Sequence, residues 1–198
     1  VTVATLLAEF GHSVLLLERA GKQRFHVGES LIPETYWTLK RLGLIEALQQ
    51  SAFPKKYSVQ FINENNQESA PFYFDEYNPH ESSQTWQVIR SEFDRMLLEN
   101  AAANGAVVHT AAQVQDVCFE GEQAVGVRVK LAGEDEPRVV AARVVVDATG
   151  QSAFLVNRLK LKVPDPRLKM GTVWSYFRGA RRDPGKDEGA TLISRSGG

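Results

Sequence analysis

The feature that most constrains the fold is a helix that leads directly into a short apolar strand ending in an acid. Residues 2–10 repeat apolar side chains at the i, i+3, i+4, i+7 spacing of an amphipathic helix, and Gly11 can end that helix. Val14–Leu17 predicts a buried strand that is apolar on both faces, and Glu18 follows it. This order is typical of the second half of a βαβ unit, so the sequence predicts an α/β fold with a parallel sheet.

A complete βαβ unit also needs a strand and a Gly-rich loop ahead of its helix, and neither occurs here. An opening helix with no strand to pack on would leave its apolar face in water. We therefore expect the chain to be truncated at its N-terminus. In a doubly wound fold, the acid that ends the second strand accepts hydrogen bonds from the ribose of a bound nucleotide, which makes Glu18 the first candidate site residue.

Composition narrows the class of protein. The chain has 198 residues and a formal net charge of −1, which argues against a nucleic-acid surface as the main binding function. It contains no apolar run of membrane-spanning length and no recognisable signal peptide. The single cysteine, Cys118, cannot form an internal disulfide, and the four histidines show no metal-ligand spacing. The sequence therefore predicts a cytoplasmic protein without a metal site.

The next part of the chain predicts helices and strands of a second layer. Pro33–Gln50 has a helical pattern, which Gly43 is expected to bend or divide. Lys56–Ile62 and Pro71–Asp75 have the composition of strands. Ser91 followed by Asp94 resembles a capping box at the start of a helix that runs to about Asn104.

The remaining sequence predicts a small β-meander inserted into the parallel core. Val107–His109 and then Gln113–Phe119, Ala124–Leu131 and Pro137–Val146 have strand patterns, and the third of these four alternates cleanly between apolar and polar residues. The core is expected to resume at Val144–Asp147, and Met170–Phe177 is expected to form a further strand.

Four strings in this order resemble a known family. They are HVGESLIP at 26–33, FPKK at 53–56, QVIRSEFDRMLLENA at 87–101 and VVVDATG at 144–150. The sequence resembles flavoproteins with the glutathione-reductase-type FAD fold, and among them it is most similar to the flavin-dependent halogenases. The resemblance implies a Rossmann-like FAD-binding sheet with an inserted antiparallel meander and part of an antiparallel substrate-domain sheet, truncated at both ends.

The resemblance also divides the chain into domains and assigns site residues. Residues 1–54 and 87–163 would form the FAD-binding domain, and residues 55–86 and 164–198 part of a substrate domain. Glu18 would bind the adenosine ribose, Arg24 the ribose or phosphates, and the backbone near Val114 the adenine. The full set of implied FAD-binding residues is Glu18, Arg19, Arg24, Gly28, Glu29, Ser30, Arg90, Val114, Asp147, Ala148 and Gly150.

Lys56 matches the lysine that halogenases use between flavin and substrate. In that chemistry, reduced FAD and O2 oxidise chloride or bromide to hypohalous acid, and the lysine passes an electrophilic halogen to the substrate. Lys55 and Lys56 are neighbours, and a strand would place their side chains on opposite faces, so one of them is expected to point into the site. We assign Lys56 as the catalytic candidate.

Two alternatives to a halogenase stay open at this stage. One is an FAD monooxygenase or a geranylgeranyl-reductase-like enzyme on the same fold, and the other is a non-catalytic nucleotide-binding module. The Trp-x-Trp-x-Ile-Pro segment of halogenases would fall just after Gly198, outside the sequence. A halogenase would act on an electron-rich small molecule, free or tethered to a carrier. Because no second dinucleotide domain is visible, a separate flavin reductase would supply its reduced FAD.

Overall fold

The computed structural model describes residues 1–21, 26–168 and 171–194. The chain divides into two compact units. The first contains Val1–Leu16, Lys22–Val108 and Ala180–Gly198, and the second contains Leu17–Gly21 and His109–Gly179. The architecture is mixed α/β, as predicted.

The helices and strands are numbered in chain order. The helices are α1 (Thr2–Glu9), α2 (Thr35–Arg41), α3 (Ile45–Gln50), α4 (Phe74–Tyr77), α5 (Arg90–Ala103) and α6 (Phe154–Arg158). The strands are β1 (Leu15–Leu17), β2 (Lys55–Lys56), β3 (Ser58–Ile62), β4 (Phe72–Tyr73), β5 (Thr85–Trp86), β6 (Val107–His109), β7 (Gln113–Glu120), β8 (Gln123–Lys130), β9 (Arg138–Ala141) and β10 (Thr191–Ser194). Short 3₁₀ turns occupy Glu81–Ser83, Gly150–Ser152 and Gly185–Asp187.

The first unit has an apolar core made by helices α2, α3 and α5 together with β5. Its buried members are Leu39, Leu42, Leu44, Leu48, Phe53, Trp86, Val88 and Phe93. Leu6 from α1 packs against them, whereas Val3 and Phe10 of the same predicted face are 50% and 69% exposed, so the helix forms as predicted but buries only part of its apolar side. Gly43 adopts φ +71°, a conformation that favours glycine, and it separates α2 from α3.

Short strands surround this core in the first unit. β3 pairs in parallel with β10 and antiparallel with β4, and β2 pairs antiparallel with β5. β1 pairs with β6. A single antiparallel bridge also joins Ser30 to Gln87, and this bridge determines the geometry of the candidate site.

The second unit is built on the predicted meander. β7, β8 and β9 form an antiparallel sheet in that order. Ala112, Val129 and Leu131 are its buried core, and Leu17, Val114 and Val140 pack against them. Along β8 the valines at 127 and 129 are buried while Arg128 and Lys130 are exposed, which confirms the alternation predicted for this strand.

Several predicted strands are shorter or absent. Residues 144–147 form no strand, although VVVD has the composition of one, and residues 171–177 form none either. No strand among the described residues pairs with either segment, and Val144 is 75% exposed and Val173 is 99% exposed. The third meander strand ends at Ala141, and Phe74 and Asp75 begin α4 instead of extending β4.

The predicted capping box at Ser91 and Asp94 is also wrong. Ile89 occupies the N-cap position of α5 and makes no side-chain capping bond. Asp94 forms an ion pair with Arg90, one turn earlier in the helix, so its carboxylate is already engaged. The predicted end of this helix is confirmed, since Asn104 is the C-cap and Gly105 follows with φ +97°.

No helix within the described ranges is long and apolar enough to cross a membrane.

Gly126 tests the packing of the meander. A Cβ built on Gly126 would lie 2.3 Å from the carbonyl oxygen of Val140 in the neighbouring strand. We expect Gly126→Ala to force β8 and β9 apart and to lower the free energy of unfolding by about 1–3 kcal/mol, the usual cost of overpacking. Thermal denaturation followed by circular dichroism would show this as a lower Tm.

Gly171→Ala is the matched control. Gly171 has open space where a Cβ would be placed, and its φ is not positive. Its substitution should leave Tm unchanged. An equal Tm for the two variants would contradict the close packing of β8 against β9.

Candidate functional site

Three short segments of the first unit lie side by side and form the framework of the candidate site. The N–H of Leu31 donates to the carbonyl of Trp86 (3.0 Å), and the N–H of Val88 donates to the carbonyl of Glu29 (2.7 Å). On the other edge, the N–H of Gln87 donates to the carbonyl of Pro54 (2.9 Å). Residues 85–88 therefore stand between residues 29–31 and residues 54–56.

This framework separates polar from apolar side chains. Because side chains alternate along extended backbone, and paired residues share a face, the register places Ser30, Lys56, Thr85 and Gln87 on one face. The opposite face carries Leu31, Trp86 and Val88, which join the apolar core, and also the charged residues Glu29 and Lys55. The VGES and FPKK strings thus contribute to one polar face.

Lys56 lies on this polar face and is buried. It is 3% exposed, whereas its neighbour Lys55 is exposed, as expected for adjacent residues of a strand. The Lys56 Nζ donates to Ser30 Oγ at 2.8 Å and to the carbonyl oxygen of Leu31 at 3.2 Å. It also lies 5.6 Å from the centroid of the Phe74 ring.

Burial sets the electrostatics of Lys56. Desolvation lowers the pKa of its amine, because removal from water penalises the charged form. Within the part of the chain that the structure describes, no carboxylate forms an ion pair with Lys56, so its partners are a hydroxyl, a carbonyl and an aromatic ring. The amine therefore reaches its neutral, nucleophilic form more readily than an exposed lysine.

A segment distant in the sequence covers this face. Asp187 accepts hydrogen bonds from Ser58 Oγ (3.0 Å) and from the Tyr73 hydroxyl (2.8 Å), which fasten residues 185–191 to β3 and β4. Gly189 packs so tightly that a Cβ there would lie 2.1 Å from the carbonyl oxygen of Lys55. Only glycine fits at this position without moving the backbone.

Thr191 and Gln87 are site residues that the sequence analysis did not identify. Thr191 Oγ1 lies 2.9 Å from Ser30 Oγ, and Gln87 Nε2 donates to Thr191 Oγ1 at 3.0 Å and to the carbonyl of Gly189 at 2.9 Å. Gln87 could have been found from the alternation T-W-Q, which puts it on the same strand face as Thr85. No local pattern indicates Thr191, because it is 161 residues from Ser30.

Thr85 leaves an unpaired hydroxyl on the same face. It is buried opposite Lys56 in the β2–β5 pair, and its Oγ1 has no hydrogen-bond partner among the described residues. A buried hydroxyl without a partner carries a desolvation cost that water or a bound ligand would relieve.

Arg90 secures the loop that leads into Ser30. Its guanidinium forms a fork with Asp94 (3.1 and 3.2 Å) and donates from Nη1 to the carbonyl of Val27 at 2.9 Å. Gly28 follows with φ +110°, and a Cβ there would lie 3.1 Å from Arg90 Nη1. The Glu29 carboxylate accepts the N–H of Gly28 at 3.1 Å. The structure thus brings Gly28, Glu29, Ser30, Lys56 and Arg90 into one unit.

Glu18, Arg19 and Val114 belong to the second unit. Glu18 follows β1, where its backbone bonds to His109 and Ala112 and its carboxylate accepts the N–H of Ala20 at 2.7 Å. Arg19 is exposed, and Val114 pairs with Val129 in the meander. Arg24 lies outside the described residues.

Asp147 organises the DATG loop in the same unit. Its two carboxylate oxygens accept the N–H groups of Thr149 (2.9 Å) and Leu155 (2.8 Å). Burial tends to raise the pKa of Asp147, but these hydrogen bonds outweigh it and lower the pKa below the ordinary value. Ala148, between Asp147 and Thr149 in the sequence, is exposed. Gly150 adopts φ +60°.

These local geometries fit a dinucleotide such as FAD. An acid follows a strand at Glu18, where a ribose hydroxyl would be recognised. The Gly28 and Gly150 loops both use conformations with positive φ, which bring backbone without a side chain to the surface. No cluster of three or more metal-ligating side chains occurs in residues 1–21, 26–168 and 171–194.

Comparison with known families agrees with this fit. The model of the FAD binding domain matches residues 1–180. The chain belongs to the FAD binding domain family. Its cofactor is therefore FAD, and its membership of a flavoprotein family confirms the fold and cofactor predicted from the sequence.

Individual relatives are halogenases. The chain is 31% identical over 192 residues to 1H-pyrrole-2-carbonyl-[peptidyl-carrier protein] chlorinase of Pseudomonas fluorescens, covering 89% of this chain and 42% of that protein. It is 36% identical over 148 residues to the corresponding brominase of Pseudoalteromonas luteoviolacea, covering 75% of this chain and 34% of that protein.

Solved structures give the same result. The myxobacterial chondrochloren halogenase CndH, a variant of FAD-dependent halogenases, superposes with a TM-score of 0.78 at 32% identity, covering 98% of this chain and 44% of that one. The chain thus spans less than half the length of the relatives it matches. The predicted resemblance to flavin-dependent halogenases is confirmed.

Substitution of Arg90 tests whether its hydrogen bonds hold the loop at Val27–Gly28 in place. Lysine keeps the charge but cannot form the fork to Asp94 and reach the Val27 carbonyl at once. We expect Arg90→Lys to loosen the loop and weaken FAD binding about tenfold, which corresponds to ~1.4 kcal/mol. A titration of the apoenzyme with FAD, followed by flavin fluorescence, measures this change.

Arg95→Lys is the control on the same helix. Arg95 is exposed and pairs only loosely with Glu99, at 3.9 Å. Its substitution should leave FAD affinity unchanged. If both lysine variants bind FAD equally, Arg90 has no part in shaping the FAD site.

Proposed function

We propose that this chain is part of an FAD-dependent halogenase that delivers an electrophilic halogen through Lys56. One observation carries the proposal: the lysine of the FPKK string is buried and hydrogen-bonded to the serine of the VGES string. The relatives named as chlorinase and brominase support it. A surface lysine, such as Lys55, would offer no such fixed amine.

FAD, when bound and reduced, would donate electrons to O2, and the activated oxygen would oxidise chloride or bromide to hypohalous acid, with FAD and water as the other products. We propose that Glu18, Arg19, Arg24 and Val114 contact its adenosine and phosphate end. Gly28, Glu29, Ser30 and Arg90 would lie along its flavin end. Asp147, Ala148 and Gly150 would close the nucleotide site.

Lys56 has two ways of handling hypohalous acid. As an ammonium it donates a hydrogen bond that polarises the acid towards a substrate. As a neutral amine it attacks the halogen, forming an N–halogen bond and releasing water, and the haloamine then exchanges its halogen for a proton of the substrate. The lowered pKa of Lys56 favours the second route relative to an exposed lysine. Confinement on a covered face limits side reactions of the oxidant.

The substrate would be electron-rich, because an electrophilic halogen attacks electron density. The named relatives act on a pyrrole held by a peptidyl-carrier protein, which makes a carrier-tethered heteroaromatic a suitable first choice for this enzyme. We further propose that a separate flavin reductase supplies the reduced FAD.

The proposal is tested by supplying the holoenzyme with a flavin reductase, NADH, O2, and chloride or bromide. Pyrrole-2-carboxylate would be offered both free and as a thioester on a carrier protein. Mass spectrometry should detect product with the isotope pattern of the added halide. Hydroxylated product, or substrate reduced without halide, would instead indicate a monooxygenase or a reductase. FAD binding with no turnover would indicate a nucleotide-binding module.

The role of Lys56 is tested by Lys56→Met. We expect halogenated product to fall by about 100-fold or more, as for loss of a group that acts directly on the reacting atoms. Oxidation of reduced FAD by O2 should continue at the wild-type rate, because the lysine acts after it. Product is measured by mass spectrometry and O2 consumption with an electrode.

Lys55→Met provides the neighbouring control. This substitution also removes one lysine charge, but at an exposed position next to Lys56. Product formation should stay at the wild-type level. If Lys55→Met and Lys56→Met lose activity equally, the assignment of Lys56 is wrong.

A further inference from the structure

The hydrogen bonds around Lys56 form a chain of four side chains. Lys56 Nζ contacts Ser30 Oγ, Ser30 Oγ contacts Thr191 Oγ1, and Gln87 Nε2 contacts Thr191 Oγ1. The orientation of the Gln87 amide is determined by its second contact. Its Nε2 also faces the carbonyl oxygen of Gly189, which can only accept, so this atom is the amide nitrogen.

Both ends of the chain therefore donate. The Lys56 ammonium can only donate to Ser30, and the Gln87 amide nitrogen can only donate to Thr191. The hydrogen bond between the Ser30 and Thr191 hydroxyls uses only one of their two protons. The other hydroxyl proton takes no part in this row of hydrogen bonds. With the Ser30 proton directed to Thr191, the Ser30 lone pairs face the Lys56 amine.

Thr191 is held firmly enough to control this arrangement. Gln87 fixes its hydroxyl, Gly189 packs against the backbone of Lys55, and Asp187 ties the preceding turn to Ser58 and Tyr73. All of these residues belong to the first unit. Among the hydrogen bonds of the described residues, none joins Thr191 to Lys56, so the effect of Thr191 on the Lys56 amine passes through Ser30.

We propose that Thr191 is a positioning residue for Lys56, acting through the Ser30 hydroxyl, and that the unused hydroxyl proton of this pair serves as a second donor to the acceptor that the lysine binds. The proposal rests on the proposed function, in which Lys56 handles hypohalous acid. It extends the site to a residue 161 positions from Ser30 in the sequence.

Loss of the Thr191 hydroxyl has a defined consequence for Lys56. Without that acceptor, the Ser30 O–H is free to rotate and donate to the neutral amine of Lys56. This stabilises the neutral form, so the pKa of Lys56 should fall further below its ordinary value. A merely structural disruption would admit water, and renewed hydration of the amine would raise the pKa towards its ordinary value. The two explanations therefore predict opposite directions.

The charged groups near Lys56 stay the same in the variants, so they do not affect the predicted change in the pKa of Lys56. In the described ranges, the adjacent Lys55 is exposed, and Asp187 on the covering turn is engaged by Ser58 and Tyr73. Lys186 on the same turn pairs with Asp75 at 2.8 Å. None of these groups changes in the variants below.

The experiment compares Thr191→Val, which keeps the shape and removes the hydroxyl, with Thr191→Ser, which keeps the hydroxyl. Ser194→Ala is the control, since it removes an exposed hydroxyl three residues along the same strand. Trace acetylation of the holoenzyme with acetic anhydride across a range of pH, read by mass spectrometry, reports the neutral fraction of Lys56, with Lys55 as the internal reference. Halogenated product per O2 consumed is measured in parallel.

The expected result has two parts. Thr191→Val shifts the labelling curve of Lys56 to lower pH and reduces product per O2 about three- to tenfold, the size of one lost hydrogen bond. Thr191→Ser and Ser194→Ala keep wild-type values for both. A labelling curve that is unchanged or moves to higher pH in Thr191→Val would overturn the proposal, as would failure of Thr191→Ser to retain the wild-type values.

The labelling measurement also separates this inference from the proposed function. If the wild-type enzyme makes no halogenated product, the proposed function fails, but the labelling curves still determine whether Thr191 positions Lys56. If the wild-type enzyme halogenates, depends on Lys56 and shows no difference between Thr191→Val and Ser194→Ala, only the positioning role is wrong.

Discussion

The alternation of side chains across three short paired segments is the constraint on which the candidate site depends. Residues 29–31, 85–88 and 54–56 are held in register by backbone hydrogen bonds. One face of this arrangement supplies Trp86 and Val88 to the apolar core. The other face carries Ser30, Lys56 and Gln87, so the packing that stabilises the first unit also orients Lys56 towards Ser30.

The site combines a rigid side and a close-fitting cover. Behind Lys56 lies a well-packed core that includes Leu48 and Val88, both almost completely removed from solvent. Over it lies the turn at 185–191, joined to β3 and β4 through the Asp187 carboxylate. A desolvated amine between these two layers is preorganised, as the proposed transfer of an electrophilic halogen to one substrate position would require.

Local features of this protein can be predicted from its sequence, whereas contacts between distant residues cannot. The opening helix, the division at Gly43, the meander and the contrast between Lys55 and Lys56 follow from periodicity and alternation, which are properties of neighbouring residues. The prediction of a strand at Val144–Asp147 was wrong. A strand needs a neighbouring strand to pair with its backbone, and no strand among the described residues pairs with this segment. Thr191 and Gly189 could not be predicted, because their roles arise from contacts with residues more than 100 positions away.

The distance in sequence between Ser30 and Thr191 also has a consequence for the order of assembly. A contact that spans 161 residues closes a long loop, and such contacts form after local ones because the loss of chain entropy comes first. Ser30 and Lys56 are only 26 positions apart and can meet early. We therefore expect the amine to be placed before its cover docks, and the hydroxyl pair to be completed only once the later part of the chain has folded against it.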